Sequence, residues 1–501
     1  TAGGITLNDD GNVFNTLTAS TGGSDDASFH DSVALAIAGA DVGGILTVTS
    51  DGDISQTGAI HADTLVASTT NGDIDLTDEG NAFADATLSA TGDALLHDAS
   101  ALNIAGATAG GTLTLSGDAG ITQTGAIHAD TLNVSTTAGD IVLTNTGNAF
   151  NVASVATSGS DDASLYDAAS LTIASANVGG ALALTSEGAI GQTGAIHAAS
   201  LNATATGGDI VLSNTGNAFA AAALSTSGSD DATLYDSSAL TIASANVGGT
   251  LTLSGGSSIG QSGAIHAAAL NVGTTHGAIA LTNAGNSFAT ATVSTAGSDD
   301  ASLTDASALT VASANVGGTL TLSGGGAIGQ TGAIHAHALD VSTTSGAITL
   351  TDSGNNFSSA TLSTGGSDNA SLYDGADLTV AGATVGGTLN LSGGGAIGQS
   401  GAIHAAALNV TTTHGAINLA NSGNSFAVAT LATAGTDDAT LYDAAALTIS
   451  SANIGGDLSL SGGSSIGQSG AIHAKSLTVS STGGAIVLAD AGNTFDTLAV
   501  T

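Results

Sequence analysis

The fold is decided by the stretch GGTLTLSGGGAIGQTGAIHAHALDVSTTSGAITLTDSGNNF (Gly317–Phe357). Short runs that alternate apolar and polar residues are separated every few positions by Gly, Asn, Asp or Ser, as also in Leu447, Thr448 and Ile449 of a later copy. Such alternation places apolar side chains on one face of a β-strand and polar side chains on the other. No run is long enough for a helix, and the frequent glycines would destabilise one. The stretch therefore predicts a series of short strands.

The whole chain is built from copies of this stretch. The motif G-N-x-F recurs at intervals of 69 residues, with one interval of 67, and a G-A-I-H motif follows the same spacing. The short interval arises from a net two-residue deletion around one loop, where TGGSDDASFHD (Thr21–Asp31) becomes TGDALLHD (Thr91–Asp98), as expected of a surface loop. The motif phenylalanines are Phe14, Phe83, Phe150, Phe219, Phe288, Phe357, Phe426 and Phe495.

Each repeat contains nine short segments, which predicts three coils of three strands with about 23 residues per coil. One such coil cannot bury its apolar face alone, whereas stacked coils bury it continuously. The absence of Pro suits a backbone whose N–H groups are used in ladders. We therefore expect an all-β parallel β-solenoid that forms one continuous array over residues 1–501. A propeller and tandem β-sandwiches are the alternatives, but both favour longer strands and more large aromatic residues.

The charge balance limits the partners that this chain can have. It carries 41 acidic residues, a single basic residue (Lys475) and a formal net charge of −40. Nucleic acid is excluded because phosphate binding needs cations, and insertion into a membrane is not expected because no run of 18 apolar residues exists. The surface attracts cations, above all Ca²⁺. The chain begins at Thr1 without an initiator Met or a signal peptide, so we interpret it as a fragment or a processed product.

The amino-acid sequence of the repeat resembles that of a known family. Gly317–Phe357, followed by SLYDGADLTVAGATVGGTLNLSG (Ser371–Gly393), is similar to the repeats of filamentous haemagglutinin-like exoproteins, the large adhesins of bacterial two-partner secretion. The likeness lies in the motifs G-N-x-F, L-x-D-A-x-x-L-T-I, V-G-G-x-L-T-L and G-A-I-x-Q-x-G. The resemblance implies a right-handed β-helix, secretion, and a role in adhesion, biofilm or contact-dependent inhibition. The amino-terminal secretion domain of that family is not visible in this chain, and its near-zero Lys and Arg content departs from the family pattern.

A histidine recurs in every G-A-I-H motif, but the repeat explains it without a metal. The preceding Ile should face the core, so the His should face outward. Equivalent His residues of different repeats would lie too far apart to share one ion. Only His335 and His337, two residues apart on one face, form a local pair that could bind a metal weakly. The seven residues are His61, His128, His197, His266, His335, His404 and His473.

An acidic pair in the motif G-S-D-D is the candidate Ca²⁺ site. Adjacent carboxylates repel each other, and Ca²⁺ would relieve the repulsion. The motif matches neither an EF-hand nor the glycine-rich nonapeptide, and a solvated loop that keeps the chain soluble is the alternative. One copy has Asp368 and Asn369, and a further Asp follows five residues after the pair, as Asp167 follows Asp162. The pairs are Asp25 and Asp26, Asp161 and Asp162, Asp230 and Asp231, Asp299 and Asp300, and Asp437 and Asp438.

Four tyrosines, Tyr166, Tyr235, Tyr373 and Tyr442, occupy one position of the motif S/T-L-Y-D. This position alternates with an inward Leu, so the tyrosines should form an outward row along the repeats that could stack on sugar rings or meet a neighbouring filament. Cover for the adjacent turn is the alternative. We assign Phe29, Leu96 and Thr304 to the same position in three other copies.

No unique constellation points to catalysis, since every acidic cluster is repeated and no nucleotide-binding or hydrolase motif occurs. We therefore expect a non-enzymatic, extracellular structural protein: a segment of a bacterial cell-surface adhesin or fibre. Its expected partners are cell-surface or matrix ligands, with carbohydrate among the candidates, or further copies of itself. A filament built by head-to-tail stacking and an acidic, Ca²⁺-stabilised matrix or surface-layer component are the alternatives. The only cofactor that the sequence suggests is Ca²⁺.

Overall fold

The computed structural model describes residues 3–501. These residues form strands and turns and contain no helix, so none of them belongs to a helix able to cross a membrane. The strand pairs within each unit are parallel, which confirms the all-β parallel β-solenoid. The chain divides into two compact units, of which the first ends at Thr252 and the second begins at Leu253. The boundary falls within one strand, β25 (Thr250–Gly255).

The strands of the first unit are β1 (Ile5–Leu7), β2 (Leu17–Ser20), β3 (Ala27–Asp31), β4 (Leu35–Ser50), β5 (Ile54–Gln56), β6 (Ile60–Thr69), β7 (Ile74–Leu76), β8 (Ala82–Ala90), β9 (Ala94–Asp98), β10 (Leu102–Ala109), β11 (Thr112–Gly117), β12 (Ile121–Gln123), β13 (Ile127–Thr136), β14 (Ile141–Leu143), β15 (Ala149–Ala156), β16 (Ala163–Asp167), β17 (Leu171–Asn177), β18 (Ala181–Ser186), β19 (Ile190–Gln192), β20 (Ile196–Ala205), β21 (Ile210–Leu212), β22 (Ala218–Thr226), β23 (Ala232–Asp236) and β24 (Leu240–Asn246).

The strands of the second unit that follow β25 are β26 (Ile259–Gln261), β27 (Ile265–Thr274), β28 (Ile279–Leu281), β29 (Ser287–Ser294), β30 (Ala301–Asp305), β31 (Leu309–Gly324), β32 (Ile328–Gln330), β33 (Ile334–Thr343), β34 (Ile348–Leu350), β35 (Asn356–Thr364), β36 (Ala370–Asp374), β37 (Leu378–Gly393), β38 (Ile397–Gln399), β39 (Ile403–Thr412), β40 (Ile417–Leu419), β41 (Ser425–Ala432), β42 (Ala439–Asp443), β43 (Leu447–Asn453), β44 (Asp457–Gly462), β45 (Ile466–Gln468), β46 (Ile472–His473), β47 (Ser476–Ser481), β48 (Ile486–Val487) and β49 (Thr497–Val500).

One turn of the solenoid is shorter than the sequence suggested. Residues that pair in adjacent turns are 18 to 22 positions apart, as Asp85 and Asn103 are at one extreme and Ile141 and Ala163 at the other. The expected coil of 23 residues is therefore corrected. A 69-residue repeat occupies about three and a half turns instead of three.

Because each repeat makes about three and a half turns, equivalent residues of consecutive repeats within a unit lie on opposite sides of the solenoid. Ile348 is the counterpart of Ile279, one repeat further along the chain. The ladder that starts at Ile279 passes through Leu339 to Ala360, and Ile348 lies between these last two, nine residues into a turn of 21. Within each unit, a motif therefore returns to the same side only after two repeats.

The core is a thin column of small and medium apolar side chains. The strands alternate buried with partly exposed residues, and Leu, Ile, Val and Ala supply most of the buried positions. Phe83, Phe219, Phe288, Phe357 and Phe426 are the largest side chains that are fully buried. Burial of one such side chain stabilises the fold by roughly 1.5–3 kcal/mol, so the strength of the core lies in its repetition.

Candidate functional site

A pair of side-chain amides, that of the buried Asn217 and that of the partly buried Gln192, joins two motifs that lie 25 residues apart. The Asn217 Oδ1 atom accepts hydrogen bonds from Gln192 Nε2 at 2.8 Å and from the backbone N–H of Ile196 at 3.0 Å. Its Nδ2 atom donates to Gln192 Oε1 at 2.8 Å and to the Leu212 carbonyl at 3.1 Å. All of the hydrogen-bonding groups of the Asn217 side chain are thereby satisfied inside the fold.

The same amide pair recurs in every repeat and explains why the Gln and the Asn are repeated. The sequence does not reveal this role, although both residues recur at constant spacing. Spacing alone does not show that two side chains meet. The pairs are Gln56 with Asn81, Gln123 with Asn148, Gln192 with Asn217, Gln261 with Asn286, Gln330 with Asn355, Gln399 with Asn424, and Gln468 with Asn493.

The third aspartate of the acidic motif lies inside the fold, unlike the pair that precedes it. Asp167 is fully buried; its Oδ2 atom accepts from the Phe150 N–H at 2.8 Å and its Oδ1 atom from the Ala169 N–H at 2.6 Å. The carboxylate thus holds the G-N-x-F turn against the strand of the next turn. Its counterparts are Asp31, Asp98, Asp236, Asp305, Asp374 and Asp443.

Burial affects the protonation of these carboxyl groups. Desolvation raises the pKa of Asp167, Asp374 and Asp443 above the ordinary value, and the two backbone N–H donors to each group oppose the shift by lowering it. Because desolvation is the larger effect, holding these groups ionised costs free energy.

The acidic pairs brace three successive turns of the solenoid. The Asp161 Oδ2 atom accepts from the N–H of Gly139 in the preceding turn at 2.7 Å, and the Asp162 Oδ1 atom accepts from the N–H of Ala181 in the following turn at 2.6 Å. Asn369 makes the second of these bonds, to Thr388, at 2.7 Å. In the pair Asp230 and Asp231, only Asp231 makes its bond. Both bonds are made by the pairs Asp25 and Asp26, Asp299 and Asp300, and Asp437 and Asp438.

The predicted Ca²⁺ site at these pairs stays a prediction. Within residues 3–501, no three His, Asp or Glu side chains converge in the way that a metal ion requires. Asp161 and Asp162 each use one carboxylate oxygen for a backbone donor, and the other oxygen of each makes no hydrogen bond to the protein.

The four tyrosines point outward and are partly exposed, as expected. They do not form the single row that we expected, because consecutive repeats face opposite sides. The ladder from Tyr166 reaches Ser225 and then Asn246, and Tyr235 lies about halfway between these two along the turn. The Tyr166 hydroxyl donates to Glu187 Oε1 at 2.5 Å, which raises the pKa of the phenol.

The first two copies of the tyrosine position were assigned wrongly. Phe29 and Leu96 are buried in the core, at the position of the inward Leu. The outward residues are His30 and His97, which pair with Thr49 and Ser116 one turn further on, and Thr304 is correctly placed. In these two copies a histidine, not a tyrosine, precedes Asp31 and Asp98, so the aromatic or apolar residue lies one position earlier and faces inward.

The G-A-I-H histidines are exposed while the preceding isoleucines are buried, as expected. Their rings contact the neighbouring turn: the Nε2 atoms of His61, His197 and His335 lie 2.9–3.0 Å from the glycine carbonyl of the next G-N motif. His473 instead contacts the Thr494 hydroxyl at 2.6 Å. His337 is also exposed, and no metal group forms around it within the described residues.

Comparison with known proteins gives one family. A model described as "Repeats of unknown function (DUF5649)" matches seven times in tandem, at residues 24–90, 91–157, 160–226, 229–295, 298–364, 367–433 and 436–501. No curated protein and no solved structure matches the chain. These matches follow the repeat that the sequence shows, and they name neither filamentous haemagglutinin nor two-partner secretion.

Proposed function

We propose that this chain, which belongs to the family of DUF5649 repeats, is a non-catalytic structural segment of an extracellular fibre or adhesin on a bacterial surface. One observation carries the proposal: every buried polar group described above serves to join one turn to the next. The amide pairs and the buried aspartates recur in each repeat and the acidic pairs in most repeats, and no three His, Asp or Glu side chains converge anywhere within residues 3–501. Repetition of this kind favours a stiff, extended structural role over a catalytic one.

The surface supports an extracellular, multivalent role. The net charge of −40 keeps a chain rich in β-strands soluble, and the absence of Cys leaves no thiol to be oxidised outside the cell. Surface motifs that recur in each repeat provide many weak contacts, and linked weak contacts give high avidity. Attachment to cell-surface or matrix ligands, and hence a part in biofilm, would follow from this arrangement.

Electron microscopy of the native material, with a denaturing gel of the same sample, tests the proposal. Stiff rods from surface fractions of the producing cell would support it. Filaments formed by chains of about 47 kDa would instead favour head-to-tail assembly of short chains. A compact particle found only inside the cell would overturn the proposal.

The free carboxylate oxygens of the acidic pairs favour Ca²⁺ as a stabilising ligand of the same structure. Calorimetric titration tests this second proposal. Heat of binding at or below millimolar Ca²⁺, with a matching rise in melting temperature, would support it. The absence of both effects would overturn it.

A further inference from the structure

We infer that the repeats display narrow uncharged surfaces that bind a neutral polysaccharide, except in the repeat that begins at Thr304, where Asp340 interrupts the surface; the inference deepens the proposed function and rests on it. The surface is clearest in the second unit, where the outward side chains of β36, β37, β39, β41, β43 and β46 form two parallel rows. One row runs Tyr373, Ser392, Thr411, Ala432, Asn453 and His473. The other runs Ser371, Asn390, Asn409, Thr430 and Ser451. We call these two rows the uncharged track.

The track is unusual for its lack of charge. The chain carries 41 acidic residues, yet no residue of either row is acidic or basic, apart from the imidazole of His473. All of the residues are exposed or partly exposed. A face of this kind has no cation for a polyanion and no carboxylate for a basic partner, so it favours a ligand without charge.

Hydrogen bonds hold the polar groups of the track in line. The Asn409 Nδ2 atom donates to Asn390 Oδ1 at 2.8 Å, and Asn390 Nδ2 donates to the Ser371 hydroxyl at 2.9 Å. Successive members of the row are about 4.8 Å apart, the spacing of adjacent strands. A linear polymer of hydroxyl-bearing units laid along the axis would meet similar donors and acceptors at each step.

An aromatic ring stands at each end of the track, Tyr373 at one end and His473 at the other, 100 residues later in the chain. Flat rings give a sugar an apolar surface to stack on, and the amides and hydroxyls between them supply the polar contacts that fix its orientation. Sugar binding would give one function to the Tyr of S/T-L-Y-D and the His of G-A-I-H. Neither residue takes part in the amide pairs, the buried aspartates or the acidic pairs.

The first unit carries the same track. Its longer row runs His97, Ser116, Ser135, Ala156, Asn177 and His197, so the two ends are again aromatic. Here the surface is concave: a groove of about 410 Å³ is lined by Asn133, Ser135, Ser154, Ser175, Asn177 and His197, among others. One carboxylate, Asp118, approaches its edge, 4.0 Å from His97 Nε2.

The dimensions favour a polysaccharide over a second copy of the chain. Six strands and two rows cover on the order of 200 Å², whereas each partner of a stable protein complex buries about 800 Å². Two copies placed track to track would also bring their acidic turns together, since each chain carries a charge of −40. Tracks of consecutive repeats face opposite sides of a unit, so one unit would hold polysaccharide chains on both sides.

Tyrosine fluorescence tests the inference on the intact chain. The chain has no Trp, and all four of its tyrosines occupy the S/T-L-Y-D position at which Tyr373 begins its track, so their emission reports on that position. We expect a saturable change with at least one of three probes: a mixed-linkage β-glucan, a galactomannan and chitin oligosaccharides. We expect no change with alginate or heparin. Failure of all three neutral probes at millimolar sugar, or a response to the polyanions alone, would overturn the inference.

Variants then locate the binding. Tyr166→Ala, Tyr235→Ala, Tyr373→Ala and Tyr442→Ala combined should weaken retention in affinity electrophoresis about tenfold or more, because each aromatic contact is worth up to roughly one factor of ten. The matched set of Tyr→Phe changes should retain binding, as should Asn418→Ala, an exposed strand residue outside the track. Equal binding by the Tyr→Ala set with an unchanged circular dichroism spectrum would contradict the inference. So would concentration-dependent dimers that protect the tyrosines without sugar.

The two proposals can fail separately. Surface rods that bind none of the neutral probes would leave the structural role intact and remove only the polysaccharide. Sugar binding by a protein that is confined to the cell interior would do the reverse.

Discussion

Gln192 and Asn217 lie 25 residues apart in the chain, and their side chains pair through both amide groups, with each N–H···O distance at 2.8 Å. The pair connects the strand β19 to the G-N turn that follows β21, one turn further along the solenoid. Because it recurs in every repeat, this reciprocal amide bond is a regular side-chain link between adjacent turns, in addition to the backbone ladders.

Replacing Asn217 by Ala should therefore destabilise the first unit strongly. The change leaves the Ile196 N–H and the Leu212 carbonyl without their partner, whereas Gln192 keeps its hydrogen bonds to Gly194 and Asn214. Each buried polar group left unpaired costs about 1–3 kcal/mol. Urea unfolding followed by circular dichroism measures the loss. Asn202→Ala, at an exposed strand position, is the control and should change the free energy of unfolding by no more than about 0.5 kcal/mol. Equal effects of the two changes would show that the amide pair contributes nothing specific.

Acidification should stabilise the fold. The folded-state pKa of Asp167, Asp374 and Asp443 is raised by desolvation, so these groups bind protons more tightly in the folded than in the unfolded chain. Their contribution is complete below the unfolded pKa, about 4, and is lost as the pH rises through the folded pKa. Urea midpoints measured between neutral pH and about pH 4 should rise as the pH falls.

Repulsion among the 41 acidic residues acts in the same direction, but salt screens it. The part of the pH dependence that survives at high salt belongs to the buried carboxyl groups. A midpoint that falls on acidification at high salt would contradict their assignment as desolvated groups.

The acidic pair should tolerate amides but not apolar residues. Asp162→Asn keeps the acceptor for the Ala181 N–H, as Asn369 does for Thr388, so its stability should match that of the parent. Asp162→Ala removes the acceptor and should cost about 0.5–1.5 kcal/mol. Thermal unfolding compares the two variants. If the amide proves as damaging as Ala, the negative charge, and with it a bound cation, would matter more than the hydrogen bond.

One glycine of the V-G-G motif should not accept a side chain. A Cβ atom at Gly179 would lie 2.2 Å from the carbonyl oxygen of Gly159 in the preceding turn, closer than any real contact allows. Gly179→Ala should therefore destabilise the fold by about 1–3 kcal/mol, the range seen for overpacking. Gly191→Ala is the matched control, because a Cβ atom there meets nothing within 4 Å. Chemical unfolding of both variants provides the measurement, and a neutral Gly179→Ala would mean that adjacent turns are farther apart than the structure has them.

The half turn per repeat predicts specific distances. Asn133 and Asn202 are counterparts one repeat apart and should lie on opposite sides, whereas Val66 and Asn202 are two repeats apart and should share a side. Since the chain has no native Cys, pairs of introduced cysteines can carry spin labels at these sites. Pulsed electron paramagnetic resonance should give about 34 Å for Val66 with Asn202, seven turns at the strand spacing. For Asn133 with Asn202 it should give more than the axial rise of about 17 Å, because the cross-section adds to it. A distance near 14 Å for the second pair would restore three whole turns per repeat.

The sequence by itself determined the fold class. Short strands with period-two alternation, glycine at constant intervals and a repeat of 69 residues leave few architectures other than a parallel solenoid, because each repeat must bury its apolar face on its neighbours. The direction of the side chains in the G-A-I-H motif was also predictable, since Ile334 is buried and His335 is exposed.

Only the tertiary structure decided how many residues make one turn and which residues meet across turns. The strands end at bends and bulges, as between Ala153 and Ser154, whose lengths the alternation does not reveal. The turn length in turn sets the side on which each motif lies. For the same reason Gln192 and Asn217, or Phe150 and Asp167, could be recognised as repeated residues but not as partners. A hydrogen bond depends on the register between turns, and register is a property of the packed solenoid, not of any local stretch of the chain.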